Sequence, residues 1–456
     1  MADETKAGES LFIKQAQGHQ KRYHKIIDFT SSSTKAAAVM LLAAVASLII
    51  ANTNAYDGFL AFFHTEVGFV IGDIEATMSL SHIINDILMA VFFLMIGLEI
   101  KYEMTVGELS NIRQALLPIL AACGGVLFPA LIYIAFNFNS PETAHGWGVP
   151  TATDIAFALG IMSLLGDKVP KGVKVFLTTL AVADDIIAIL IIAIFYGQSP
   201  ELFWILGIVV VMIVLVLMNR AHVYALLPYL AVGVLLWFCV YMSGIHSTIA
   251  GVLLAFTIPT TSKINMKNFL SWSGKKIDIA KLQYSEEVHI MGQDGYMKVV
   301  TQLSSVCREV TPPALRLEHK IGSWVNFGIL PLFALTNADV RFVGGALGDI
   351  WTDPALYGVF FGLVLGKPIG IMLFSFIVTK LKLASLPENT HWIQMLGAGI
   401  LGGVGFTMAI FVANLAYEDA AIITTAKLAI LCASATAGII GFIFLWIQSK
   451  RNNKKA

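Results

Sequence analysis

Two consecutive aspartates, Asp184 and Asp185, lie in the middle of an apolar stretch that runs from Phe176 to Phe195. A run of about 20 apolar residues is long enough to cross a bilayer as a helix. An ionised carboxylate at bilayer depth costs roughly 2.5–3.5 kcal/mol on insertion scales, so two of them side by side need a use. Trading a proton for a cation is the simplest. Neighbouring residues on a helix point about 100° apart, so the two acids cannot face one partner in the same way. One is placed to bind a cation while the other meets a counter-charge.

The rest of the chain supports a membrane setting. Hydrophobic residues make up 57% of it and charged residues 13%, with a mean hydropathy of +0.76. Soluble domains carry about 25% charged residues, so the composition predicts an all-α polytopic membrane protein. Zero formal net charge gives no reason to expect nucleic acid as a partner. The four cysteines show neither metal-ligand spacing nor a disulfide framework, and no cofactor is expected. Met1 to Phe29 is polar and lysine-rich and lacks the pattern of a cleaved signal peptide, so the first span is expected to stay as an anchor.

Apolar windows fall near 36–52, 79–100, 115–137, 149–165, 175–196, 203–218, 225–242, 246–260, 322–337, 356–379, 393–416 and 421–447. They predict about twelve membrane helices, the structure that satisfies its own backbone in lipid. Lysines and arginines gather in alternate loops, with Arg341 as the exception and Lys427 inside the last window. That bias places both termini in the cytoplasm. The expected organisation is an extension over 1–30, eight helices over 31–260, a cytoplasmic loop over 261–312, four helices over 313–449 and a tail over 450–456. Residues 64–77 alternate around Gly72-Asp73 and read as an external β-hairpin or an ordinary polar loop. The long polar stretch 261–312 reads as a disordered loop ahead of a functional one.

Two windows are interrupted. Gly148 to Asp154 contains Pro150, which removes a helical donor and clashes with the preceding turn. Residues 397–407 are glycine-rich and include Gly403 and Gly405. Broken helices in corresponding halves point to a transporter's midplane site, and relate 115–196 to 356–447 as inverted repeats. Asp154 follows Thr153 just after the first break, where it can cap the half-helix that follows. Unwound backbone there also frees carbonyls for a cation.

Lys367 lies near the centre of the tenth window, away from the helix end that a snorkelling lysine needs. It reads as the partner of one aspartate in a buried ion pair, which protonation or a cation would break. Asp86 and Glu99 flank the second window, and Glu318 and His319 precede the ninth. Each alone reads as a solvated charge; together they would line a funnel that concentrates cations. His246 opens the eighth window, either as a group that titrates near neutral pH or as a hydrogen-bonded helix-end histidine.

Several motifs accompany the Asp184-Asp185 pair: Ile84-Asn-Asp-Ile-Leu-Met-Ala-Val-Phe-Phe-Leu-Met-Ile-Gly-Leu-Glu99, Ala152-Thr-Asp-Ile-Ala-Phe-Ala-Leu-Gly160 and Ser243-Gly-Ile-His-Ser-Thr-Ile-Ala-Gly251. Gly366-Lys-Pro-Ile-Gly370 and Gly403-Val-Gly-Phe-Thr-Met408 complete the set. In combination, over roughly 33–260 and 313–449, they closely resemble the NhaA-type sodium/proton antiporters of bacterial inner membranes. That family is itself an example behind the broken-helix rule, so the two readings are not independent.

The resemblance implies that Asp185 is the cation and proton carrier and that Asp184 pairs with Lys367. Thr153 and Asp154 match the unwound crossing. Glu99, Glu318 and His319 match positions tied to pH activation, and Asp86 and His246 match less central ones. It further implies exchange of cytoplasmic Na+ or Li+ for external H+, electrogenic and pH-regulated, by a homodimer joined through the hairpin. Three features depart from the family pattern: Tyr102 before Glu103, Lys35-Ala in place of a glycine pair, and long segments at the N-terminus and at 261–312. Two other functions compete. A sodium-coupled symporter would need neutral polar side chains near the aspartates. An intramembrane aspartyl protease would need a Gly-x-Gly-Asp setting, which neither Asp154 nor the pair has.

Overall fold

A chain this apolar must close its backbone hydrogen bonds within itself, and helices do that one segment at a time. The computed structural model describes residues 14–30, 32–71, 74–197, 201–341, 351–387 and 390–452. Among them, seven helices are long and apolar enough to span a bilayer: Ser33–Ala51, Leu80–Thr105, Gln114–Asn137, Lys171–Phe195, Leu202–Arg220, Pro354–Lys380 and Ala420–Lys450. Two further spans are broken, each bent by 45°: Pro141–Thr151 with Ile155–Leu164, and Trp392–Gly402 with Phe406–Ala416. The remaining windows are helical but shorter. One holds Leu226–Met242 and another Ile249–Thr257. The third runs through the end of Pro313–Trp324, a π-turn over Val325–Ile329, and Leu330–Asn337.

The helices group into two compact units. The first comprises Met1–Phe63, Leu117–Asp184 and Asn326–Ala456; the second comprises His64–Leu116 and Asp185–Val325. In the first unit, Ser33–Ala51 packs on Ile155–Leu164 and on Leu330–Asn337. The lysine-bearing helix, Pro354–Lys380, is less regular. A π-segment over Gly362–Gly366 precedes Lys367, and Pro368 lacks the N–H that would bond the Val364 carbonyl. Such π-bulges recur at functional sites. This helix meets Gln114–Asn137 backbone to backbone. A Cβ on Gly366 would lie 2.8 Å from the Pro129 Cα, and one on Gly370 would lie 2.6 Å from the Gly124 carbonyl carbon. Only glycine permits that approach.

In the second unit, Leu80–Thr105 packs on Ile249–Thr257. Leu94, Leu98, Tyr229, Leu236, Leu254 and Leu317 lie in its buried core. Strands Glu66–Ile71 and Ile74–Ser79 pair antiparallel, from Glu66 opposite Ser79 to Ile71 opposite Ile74. The expected turn residues, Gly72 and Asp73, lie outside the described residues.

The stretch 261–312 corrects the expectation of disorder. It forms two helices, Met266–Gln283 and Asp294–Val310, packed on each other. The Asn265 side chain starts the first by accepting from the Lys267 and Asn268 backbone N–H groups. Lys276 Nζ donates to Gln302 Oε1 at 2.7 Å across the pair. Gln293 closes the connection. Its Nε2 donates to the Ser285 and Val288 carbonyls at 2.7 and 2.6 Å, and its Oε1 accepts from the Ser285 N–H at 3.1 Å. Apolar contacts add to these: Val299 is buried, and the Tyr284 and Tyr296 ring centres lie 5.4 Å apart.

Gln293→Ala removes all three bonds and leaves the part-buried Ser285 and Val288 backbone groups without this partner. A cost of about 1–3 kcal/mol follows, which is roughly 5- to 150-fold faster local opening. Amide hydrogen exchange should show the wild-type helices protected and the variant opened around 285–293. Full exchange of 266–310 in the wild-type protein within seconds would contradict the fold.

Candidate ion-exchange site

The first unit gathers buried charges where its two broken spans face each other. Asp184, on Lys171–Phe195, is 3% exposed, and Lys367 is 1% exposed. Lys367 Nζ donates to Asp184 Oδ2 in a short ion-paired hydrogen bond. It donates also to Thr153 Oγ1 at 2.8 Å. Thr153 Oγ1 in turn donates to the Gly402 carbonyl at 2.9 Å, at the last residue before the second break. The expected lysine–aspartate pair is therefore present, with Asp184 as the partner.

Asp154 stitches the breaks together. Its backbone N–H donates to the Val404 carbonyl at 2.7 Å. Its Oδ1 accepts from the Phe157 N–H at 3.0 Å and so caps Ile155–Leu164. Its Oδ2 accepts from both the N–H and the Oγ1 of Thr407, in the first turn of Phe406–Ala416. Two half-helix N-termini, each with a partial positive charge, thus converge on one carboxylate. The cap expected of Asp154 on the half-helix is formed. Ser434 Oγ accepts from the Phe406 N–H at 3.0 Å and braces the second break from the last helix.

Small residues let the breaks approach. A Cβ on Gly405 would lie 3.1 Å from the Ala152 carbonyl oxygen, and one on Gly403 would lie 3.1 Å from the Ile400 carbonyl oxygen. Pro150 is buried in the 3-10 turn His145–Thr151. It packs against Gly362 of the π-segment, where a Cβ would approach the proline ring to 2.7 Å.

Asp184 Oδ1 is buried and has no hydrogen-bond partner among the described residues. An anionic oxygen buried without a partner among protein groups is costly. Asp185 is buried as well, at 4% exposure, on the neighbouring face of the same helix. Among the described residues, no cluster of three or more His, Cys, Asp or Glu side chains is arranged to hold a metal.

Asp185 begins the second unit's stretch Asp185–Val325, and the remaining charged candidates fall in that unit too. Asp86 lies in the π-turn Ile83–Leu88, where it accepts from Ser247 Oγ at 2.9 Å and meets His82 Nε2 at 3.2 Å. The adjacent His246 places Nε2 2.5 Å from the Tyr196 carbonyl oxygen, as expected of a bonded helix-end histidine. Glu99 lies near the end of Leu80–Thr105. Two residues on, Lys101 Nζ donates to the Phe256 and Ile258 carbonyls at 2.8 and 2.5 Å and closes the end of Ile249–Thr257. Glu318 and His319 lie on Pro313–Trp324. Burial pushes the Glu318 carboxyl above its ordinary range, against the opposing effect of His319.

Thr407, Ser434, Ser247 and His82 belong to these networks without having been singled out as site residues. Thr407 lies in the quoted Gly403–Met408 motif, which was its only signal.

A family model described as Na+/H+ antiporter 1 matches residues 27–445. The Na+/H+ antiporter NhaA of Wolinella succinogenes is 42% identical over 430 residues, 94% of each chain. NhaA of Helicobacter pylori strain J99 is 43% identical over 426 residues, 93% of this chain and 95% of its own. NhaA 2 of Flavobacterium johnsoniae is 42% identical over 427 residues, 94% of this chain and 93% of its own.

Removing one member of a buried ion pair leaves the other uncompensated, at a cost of about 3–5 kcal/mol. Lys367→Met should therefore lower the thermal unfolding midpoint in detergent markedly. Adding Asp184→Asn should recover part of the loss, because the partners are coupled. Additive losses in the double variant would show that the pair does not act as a unit.

Proposed function

The chain belongs to the Na+/H+ antiporter 1 family, and we propose that it exchanges Na+ for H+ across a bacterial inner membrane at the Asp184–Asp185 pair. The observation that carries this reading is the buried Asp184–Lys367 pair set against the unwound crossing. Lys367 is a tethered cation on an acid that is otherwise enclosed by protein. A proton or a Na+ ion arriving at Asp184 competes with that ammonium for the same carboxylate. Occupancy by one therefore excludes the other, which is the requirement for exchange.

In the proposed cycle, cytoplasmic Na+ or Li+ displaces protons from Asp184 and Asp185. The broken spans reorient, external protons release the ion, and the protons are carried inward. Asp154 and Thr153 hold the crossing and offer oxygens at its unwound backbone. Two acids allow more than one proton to enter per Na+. Net charge then moves inward, and each charge gains roughly 2.3 kcal/mol per 100 mV. The basic-residue bias supports cytoplasmic termini, and the paired strands at 66–79 are the element through which a homodimer would form. Nothing favours the symporter or the protease. The hydroxyls of Thr153, Thr407 and Ser434 are engaged within the protein, and Asp154 and Asp184 hold separate partners.

Everted vesicles from cells lacking other antiporters, acidified inside and read with a pH-sensitive dye, test the reading. NaCl and LiCl should dequench the dye and KCl should not. Asp185→Asn should reduce the signal to background. No Na+ response at any pH from folded protein would overturn exchange.

The same assay tests pH regulation through Glu99, Glu318, His319, Asp86 and His246. Burial raises the Glu318 carboxyl, so this group is neutral at low pH and gains its charge above the ordinary carboxylate range. Glu318→Gln fixes the neutral, low-pH form. If ionisation activates exchange, the activation midpoint moves to higher pH by roughly half to one unit. An unmoved midpoint removes Glu318 from the response.

A further inference from the structure

Lys427 is a second lysine inside an apolar helix, and the exchange cycle gives it no part. Its Nζ donates to Asp339 Oδ1 at 2.9 Å, with the two side chains only 12% and 14% exposed. Asp339 follows the end of Leu330–Asn337. Its second oxygen, Oδ2, accepts from the Tyr56 hydroxyl at 3.0 Å. Burial, and then the Asp339 carboxylate, push the Tyr56 phenol up to about 12, so it stays a donor at any working pH. The Arg341 guanidinium lies 4.6 Å from the centre of the Tyr56 ring. Asn52 Nδ2 donates to the Val340 carbonyl at 2.9 Å. Just upstream, Asn337 Oδ1 accepts from Asn414 Nδ2 at 2.8 Å.

These contacts have a pattern. Phe406–Ala416 is tied at Thr407 to Asp154 and at Asn414 to Asn337. The last helix is tied at Ser434 to the second break and at Lys427 to Asp339. From Thr407 to Asn414, and from Lys427 to Ser434, each helix advances two turns, about 10 Å. Two struts of matched length therefore join the crossing to the short segment 337–341.

We infer that Asp339 and Lys427 form a positioning pair for exchange, anchoring the far ends of two helical struts whose near ends hold the Asp154 crossing. Neither residue touches the transported ion. Without the pair, the last helix loses its fixed mounting, Ser434 no longer holds the Phe406 N–H in place, and the oxygens around Asp154 lose their spacing. Cation binding then weakens while the proton-carrying acids remain. The inference rests on the exchange reading, and the test separates the two.

Apparent KM for Na+ and maximal rate should be measured in everted vesicles for the wild type, Lys427→Met, Lys427→Arg, Asp339→Asn and the double variant Asp339→Asn with Lys427→Met. Melting in detergent shows which variants fold. Each single neutral variant should raise KM roughly 2- to 30-fold, with a smaller change in rate. Lys427→Arg keeps the charge and should stay near the wild-type KM. The double variant should be no worse than either single one, because both remove the same interaction. Folded single variants with wild-type KM, or additive effects in the double variant, would overturn the pair's role. If Lys427→Met does not accumulate, Tyr56→Phe removes one hydrogen bond to Asp339 and serves instead; an unchanged KM there also counts against it. A silent wild type sinks the exchange reading and this inference with it. A working wild type with unchanged variants sinks this inference alone.

Discussion

The Asp184–Lys367 ion pair sets the terms for the structure around it. Taking a carboxylate and an ammonium out of water costs several kcal/mol per ion, and their attraction offsets this only when geometry is tight and remaining hydrogen bonds are made. Lys367 meets that demand with Asp184 and Thr153. Asp184 meets it on one oxygen only. An acid satisfied on one oxygen only is what the proposed exchange of partners at Asp184 requires. The glycines at 366 and 370 follow from the same constraint, because they let the lysine-bearing helix approach Gln114–Asn137 closely enough to bury Lys367.

The broken spans solve a second problem. A carboxylate at Asp154 needs positive neighbours, yet no lysine or arginine donates to it in the described structure. Two half-helix N-termini supply backbone N–H groups instead, from Phe157 and Thr407. Each terminus contributes a partial positive charge, while the opened turns at Gly402 and Val404 turn their carbonyls toward Thr153 and Asp154. One short stretch of irregular backbone therefore presents donors and acceptors together. Irregular backbone persists in a membrane only where protein or a water-filled cavity surrounds it, and Thr151, Thr153 and Thr407 are all buried.

Much of this was legible in the residues. A lysine mid-span has few options besides an acid, so Lys367 and the aspartates could be paired before any geometry was known. Pro150 and the glycine run 397–407 announced their breaks by removing donors and side chains. Apart from Thr153, the hydroxyls were less legible. Thr407 and Ser434 look like ordinary span residues, and only the meeting of distant segments gives them roles. The helical pair at 266–310 was missed for a related reason. Its connection is closed by polar contacts such as Gln293 with Ser285, which sequence patterning reads as solvation. The residues alone do not pair Lys427, because Asp339 lies in a connecting segment rather than in an apolar window.

Both aspartate–lysine pairs lie in the first unit, and they differ in kind. Asp184 has an oxygen with no partner, whereas Asp339 is bonded on both oxygens, by Lys427 and by Tyr56. A fully satisfied pair resists exchange of partners, since any newcomer must replace two good hydrogen bonds at once. A half-satisfied pair invites it. The proposed division of labour follows from that difference: the open pair meets the ion, and the closed pair holds the frame against which the open one can move.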